Sequence, residues 1–217
     1  MRLGRAALMS RGSLPSIAGT PFGGGYYVGR LIGDDGVKYA LIVAPKATGE
    51  WPNRLSYKLS STSSAAAGSA WDGAANSAAL VAAGVDVHPI ADFMMQVNNG
   101  GGINGYTDWF IPARYQLEMV YRNLKTSTAA NATNSLGITS NRFADPNTPE
   151  YTATNPAQTS AVQFQTGGSE AFVNDGYWSS TEYPTTEGWY QDMNAGYMSH
   201  LSKTSGLRCR LVRAIKI

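Results

Sequence analysis

Two β-rich runs around a tight turn constrain this chain most. Residues 26–32 read Tyr-Tyr-Val-Gly-Arg-Leu-Ile, residues 34–36 Asp-Asp-Gly, and residues 38–43 Lys-Tyr-Ala-Leu-Ile-Val. Strand formers on both sides of an Asp-Gly turn predict a β-hairpin. The second run is apolar without alternation, so it must be covered on both faces. That demands helices or a second sheet around it. At 217 residues the chain is long enough to supply such a core. It must do so without an internal disulfide or a Cys-based zinc site, because it has one cysteine.

Helical signals follow the hairpin. Asp72 is placed to cap a helix over 74–83, with Gly84 closing it. Pro89 opens a second helix through Asp92, Phe93 and Met94, ending near Asn98-Asn99-Gly100. Residues 99–105 form a glycine-rich turn. It lacks the Gly-Lys-Ser/Thr of a phosphate loop, and no strand clearly precedes it. Ala113, Leu117, Val120, Tyr121 and Leu124 fall on one face of a helix over 113–125, started by Pro112. Arg114 and Glu118 stand four apart and read as a pair on that helix. Residues 126–168, rich in Thr, Asn, Ala, Pro, Ser and Gln, read as a long polar loop insertion.

Strands return at 177–181, 188–193, 197–201 and 207–212. In the last, Leu207, Cys209 and Leu211 alternate with Arg208 and Arg210, which predicts the cysteine inward and the arginines outward. The expected fold class is therefore α+β: antiparallel strands with two or three short helices. Residues 1–20 read as an N-terminal arm, and residues 21–217 as one domain.

Composition narrows the function. Charged residues make up 15% of the chain, against about 25% in ordinary globular proteins. The polar surface must come from Ser, Thr, Asn, Gln, Tyr and Gly, residue types that suit displayed binding surfaces. Net charge is +2 without a basic cluster, which argues against nucleic acid as a partner. No apolar run approaches the roughly 20 residues of a membrane span. The 6–9 stretch Ala-Ala-Leu-Met is too short for a signal-peptide core.

Three stretches in order resemble a known family. They are Gly105-Tyr-Thr-Asp108-Trp109-Phe-Ile-Pro112-Ala-Arg114-Tyr-Gln-Leu117-Glu118, then Tyr177-Trp178-Ser-Ser-Thr-Glu-Tyr183, then Gly188-Trp189-Tyr190 through Gly196 to Leu207-Arg-Cys-Arg210. The pattern resembles the DUF1566 (Lcl C-terminal-like) family. The resemblance implies a C-type-lectin-like fold, of the kind found in bacterial surface proteins and in phage tail fibres. It implies a virion location and a structural protein for host attachment, binding a surface glycan or an outer-membrane protein. The arm at 1–20 would dock onto other virion proteins, and display would be homo-oligomeric, with a trimer as one form.

In diversified relatives of that fold, the residues facing ligand lie between the second motif and the final strand. The matching positions here are Trp189, Tyr190, Asp192, Asn194, Tyr197, Ser199, His200, Ser202 and Lys203. Trp178 and Trp189 are expected to fill the core. Asp108 is expected to favour the dipole of the helix that follows it.

Other chemistries fit less well. A calcium site would draw on Asp145-Pro146-Asn147 and Asn174-Asp175, too few oxygens for the ion; no metal and no cofactor are expected. Cys209 stands alone in a strand and does not suit thiol chemistry. His88 and His200 have no evident nucleophile beside them in sequence. A hydrolytic carboxylate pair would have to come from Asp92, Glu118, Asp175, Glu182, Glu187 or Asp192. The expectation is a non-enzyme. The alternatives are a capsid or tail decoration protein that reuses the fold for assembly, and, further off, a glycan-cleaving tail protein.

Overall fold

A computed structural model describes residues 13–64, 66–133 and 140–217. The expected hairpin is present. Strand β2 (Gly25–Ile32) pairs antiparallel with β3 (Lys38–Val43). Strand β1 (Pro21–Phe22) flanks β2, and β9 (Val212–Lys216) flanks β3, giving the order β1-β2-β3-β9. Ala40 to Val43 are at most 1% exposed, as a strand apolar on both faces must be.

Helix α1 (Lys46–Gly49) leads to β4 (Leu55–Ser56), which pairs with β8 (Gly206–Leu207). Helix α2 (Gly73–Ala82) is capped by Asp72, whose carboxylate accepts from the Ala75 N–H at 2.9 Å. Helix α3 (Pro89–Asn99) starts on its proline, as expected. The glycine-rich turn after it uses left-handed backbone at Gly101, Gly102 and Gly105. At Gly102 a Cβ would lie 1.9 Å from the Tyr106 carbonyl oxygen, so no other residue fits.

Helix α4 (Arg114–Leu124) differs from its sequence pattern, which suggested one apolar face. Gln116, Glu118 and Met119 are buried along with the expected Leu117, Val120, Tyr121 and Leu124. The helix lies between the first sheet and a three-stranded antiparallel sheet of β5 (Gly176–Tyr183), β6 (Glu187–Asp192) and β7 (Met198–Ser202), in that order. At Gly29 in β2 a Cβ would come 3.1 Å from Met119 Sδ, so β2 runs close against the helix.

Among its described residues, the polar segment 126–168 has no strand or α-helix, only a 3-10 turn at Val162–Phe164. It is nevertheless anchored. Phe143, Tyr151 and Phe164 are buried. Asn141 Nδ2 donates to the Tyr115 carbonyl at 2.8 Å and to Glu118 at 2.6 Å, and Tyr121 donates to Asn131 at 2.7 Å. Residues 1–12 of the expected arm lie outside the described residues. Within 13–20, Leu14 and Ala18 pack against the core, and the Gly19 N–H donates to Tyr27 O at 2.8 Å.

The expected strand over 207–212 is divided. Residues Gly206 and Leu207 pair with β4, Arg210 makes an isolated bridge with Glu50, and β9 begins at Val212. Cys209 does face the core. Arg210 does not point outward: it is 1% exposed. Its guanidinium donates to Ala44 O at 2.9 Å, to Glu170 O at 2.8 Å and to the Glu170 carboxylate. A buried charge is tolerable only with such pairing. The architecture is thus α+β with antiparallel sheets. Among the described residues no helix is long and apolar enough to cross a membrane.

Candidate functional site

Most of the second motif, residues 177–182, serves structure. Trp178 is fully buried and its indole N–H donates to Leu55 O at 2.9 Å. Ser179 donates to Trp189 O at 2.9 Å, and Ser180 N–H donates to Pro112 O at 2.8 Å. Thr181 caps α4 from outside: its hydroxyl accepts from the Arg114 N–H at 3.0 Å and donates to Ser69 O at 2.8 Å. The residue before α4 is Ala113, which offers no capping oxygen, so a borrowed hydroxyl satisfies a donor that would otherwise be orphaned. Glu182 accepts from the Ser64 N–H at 2.9 Å and from the Lys203 ammonium.

Motif residues elsewhere do the same. Asp108 does not serve the dipole of α4; it pairs with Arg213 in β9 through two hydrogen bonds. Arg114 and Glu118 do not pair with each other. Glu118 is instead held by Arg122 at 2.8 Å, Tyr151 at 2.8 Å and Asn141. Burial pushes its carboxyl up, against the pull of Arg122 and these hydrogen bonds. The order Glu then Arg at four residues is the better one for a helix, and it was available in the sequence.

The expected ligand-facing residues lie on β6, β7 and the turns beside them, with Lys203 just past β7, and strand alternation divides those on the strands. Trp189 pairs with His200, and Tyr190 with Ser199. Successive residues face opposite ways, so Trp189, His200 and Ser202 share one face while Tyr190, Asp192 and Ser199 share the other. Asp192 is engaged in the turn, where Oδ1 accepts from Asn194 N–H at 3.0 Å and Ala195 N–H at 2.6 Å. Asn194 is part-exposed at its tip. Ser202 bonds Ser61 and Thr204, each at 3.0 Å.

Lys203 departs most from the expectation. It is 0% exposed. Its ammonium donates to Glu182, to Thr62 O at 2.8 Å and to Thr185 O at 2.9 Å. Every donor is consumed inside the fold, so Lys203 offers nothing to a ligand.

On the Tyr190 face, Tyr190 packs edge-on against Trp178 at 6.4 Å and Tyr197 at 6.2 Å between ring centroids. Burial raises the Tyr197 phenol to about 12, helped by its hydrogen bond with Tyr190. On the opposite face, Trp189 is part-exposed rather than core, and meets Tyr183 and His200 edge-on at 5.3 and 5.6 Å. Tyr183 and His200 stack at 3.8 Å with parallel planes. Glu187 approaches His200 Nδ1 at 2.8 Å, an ion-pair distance without hydrogen-bond alignment. Arg114 completes this face, 4.7 Å from the Trp189 ring. Sequence reasoning missed Arg114 and Tyr183 because each looked like framework within a motif.

The groups considered for other chemistry have partners of their own. Asp145 pairs with Lys38 at 2.9 Å, and Asp175 with Arg54 at 2.8 Å. Among the described residues no three His, Cys, Asp or Glu side chains group as a metal would require. His88 does acquire a serine, with Ser64 Oγ 2.9 Å from Nε2. Both residues are buried, and Nδ1 meets the Gly84 carbonyl at 2.7 Å rather than a carboxylate. Burial raises the Cys209 thiol, which keeps it protonated. A cleft of about 580 Å³ lies elsewhere, between residues 14–18, β2, α4 and residues 144–148, remote in sequence from β6 and β7. No protein-family model matches the chain, and no curated protein matches it.

Proposed function

We propose that the chain is a phage-type virion protein that displays a C-type-lectin-like domain for attachment to a host cell surface. One observation carries the reading. The motif residues at 178–182 are committed to holding the β5-β6-β7 sheet, while Trp189, Tyr190, Tyr197 and His200 stay part-exposed on it. A rigid frame carrying adaptable aromatic and polar groups is what a displayed binding module needs. The ligand would be a surface glycan or an outer-membrane protein, stacked on rings and hydrogen-bonded by hydroxyls and amides. The segment before residue 21 would dock the domain to other virion proteins. Weak single sites repeated on one particle gain about 10²–10⁴ in avidity.

The test is a pull-down of whole host cells with the wild type and a Tyr190→Ala/Tyr197→Ala variant. The wild type retains cells and the variant loses them. Equal retention by both removes the Tyr190 face from the attachment surface.

A further inference from the structure

Arg114 is a cation without a counter-charge. Among the described residues it makes no ion pair, and no hydrogen bond engages its guanidinium. Its Nε is sealed from solvent and unpartnered. The group lies over the Trp189 ring at 4.7 Å and over the Tyr115 ring at 5.3 Å, so aromatic faces, not an acid, are its partners. Burial and the nearby charge of Arg142 both work against its protonated form. Arg142 is itself exposed, and Asp34, its acid partner among the described residues, stands 3.9 Å away with both side chains in water. The carboxylate on this face, Glu187, is turned to His200.

Among the described residues every other arginine that is not fully exposed has an acid partner, Arg208 with Glu50 and Asp175 included. Arg210 has Glu170, Arg213 has Asp108 and Arg122 has Glu118. The sequence therefore neutralises its buried guanidinium groups as a rule, and Arg114 is left open beside a part-exposed tryptophan. A guanidinium with no acid partner, at the edge of the aromatic cluster of Trp189, Tyr183 and His200, fits a sugar that carries an oxyanion. The pyranose packs on aromatic carbon, and the carboxylate or sulfate takes paired N–H groups.

We propose that the Trp189 face binds an acidic glycan, with Arg114 receiving the sugar's carboxylate or sulfate and Arg142 adding to the local positive potential. The inference rests on the attachment reading above and names the ligand class for the other side of the same sheet.

The experiment measures binding of the full chain to purified polymers: an oligogalacturonate, a dextran sulfate and neutral dextran of matched length. Wild-type protein prefers at least one acidic polymer to dextran by about tenfold or more, equivalent to about 1.4 kcal/mol. Added salt shrinks that preference. Which acidic polymer wins assigns carboxylate or sulfate. Arg114→Gln removes the preference, and Arg114→Lys retains part of it, because the charge stays while the fork is lost. Arg142→Gln, at an exposed position, reduces it less. Equal binding of all three polymers, no binding of any, or a preference that survives Arg114→Gln in folded protein overturns the proposal. Host-cell retention that persists alongside such a result leaves attachment standing and removes the acidic ligand alone.

Discussion

Arg213 holds Asp108 with two parallel hydrogen bonds, Nε to Oδ1 at 2.7 Å and Nη2 to Oδ2 at 2.8 Å. The same guanidinium donates to Gly23 O at 2.8 Å and lies 3.9 Å from the Tyr106 ring. One side chain thus ties the start of β2, the turn after α3 and β9 together. Asp108 is 57% exposed, so charge attraction contributes little. The fork geometry and the stacking matter more, and lysine reproduces neither. Arg213→Lys is expected to cost about 1–2 kcal/mol. In urea it lowers the midpoint and leaves the slope unchanged. A midpoint equal to wild type would show that the fork is ornamental.

The Lys203–Glu182 pair behaves differently because it is buried. Lys203 is wholly enclosed and the Glu182 side chain is 10% exposed. Removing the lysine takes the ion-pair partner from the Glu182 carboxylate and a donor from the Thr62 and Thr185 carbonyls. Lys203→Met should cost about 3–5 kcal/mol. Glu182→Gln keeps an acceptor for the Ser64 N–H and should cost less. Chemical denaturation of both variants and the double mutant gives the coupling between the two residues. Additive losses would mean that the two side chains stabilise the fold independently.

His88 predicts a pH dependence. It is buried, and burial lowers its pKa below the ordinary 6.5. The folded chain therefore binds a proton on His88 less readily than the unfolded chain does. Between the lowered pKa and about 6.5, the unfolded state holds more protons and stability rises with pH. Acidification through that window destabilises the protein, with a limiting slope of about 1.4 kcal/mol per pH unit for one proton. Glu50, Glu118 and Asp192, all raised by burial, contribute with the opposite sign in the carboxylate range. The difference between wild type and His88→Gln isolates the histidine. Wild type should lose more stability than the variant as pH falls below about 6.5, and parallel curves would exclude it as the titrating group.

Regular elements were legible in the sequence because their signals are local. The Asp-Asp-Gly turn, the capping Asp72, Pro89 and the 177–201 strands all carry periods or caps that read within a few residues. What the sequence hid depends on distant partners. Arg210 looks outward by alternation, yet Glu170, 40 residues away, draws it inward. Segment 126–168 lacks a period because Asn141, Asn131 and Tyr151 anchor it one side chain at a time on α4. The candidate site was placed on β6, β7 and the turns beside them, but alternation across the two strands was not applied to it. That omission merged two faces and included Lys203, whose partner Glu182 lies in the preceding motif.

The turn between β6 and β7 packs against α4 through a glycine. Gly196 has φ of +74°, and a Cβ there would sit 2.1 Å from Tyr121 Cε1 and 2.4 Å from Cζ. Tyr121 has little room to yield, since it is 1% exposed and its hydroxyl is fixed to Asn131 at 2.7 Å. Gly196→Ala therefore meets both left-handed backbone strain and overpacking against α4. The two together should cost about 2–4 kcal/mol. Asn194→Ala in the same turn removes a part-exposed side chain and should fall within about 0.5 kcal/mol of wild type. If thermal melts rank the two variants together, the contact between this turn and Tyr121 does not hold the hairpin. If Gly196→Ala melts lower as expected, Asn194→Ala becomes the variant of choice for probing the turn in binding, because it alters the tip without moving either face.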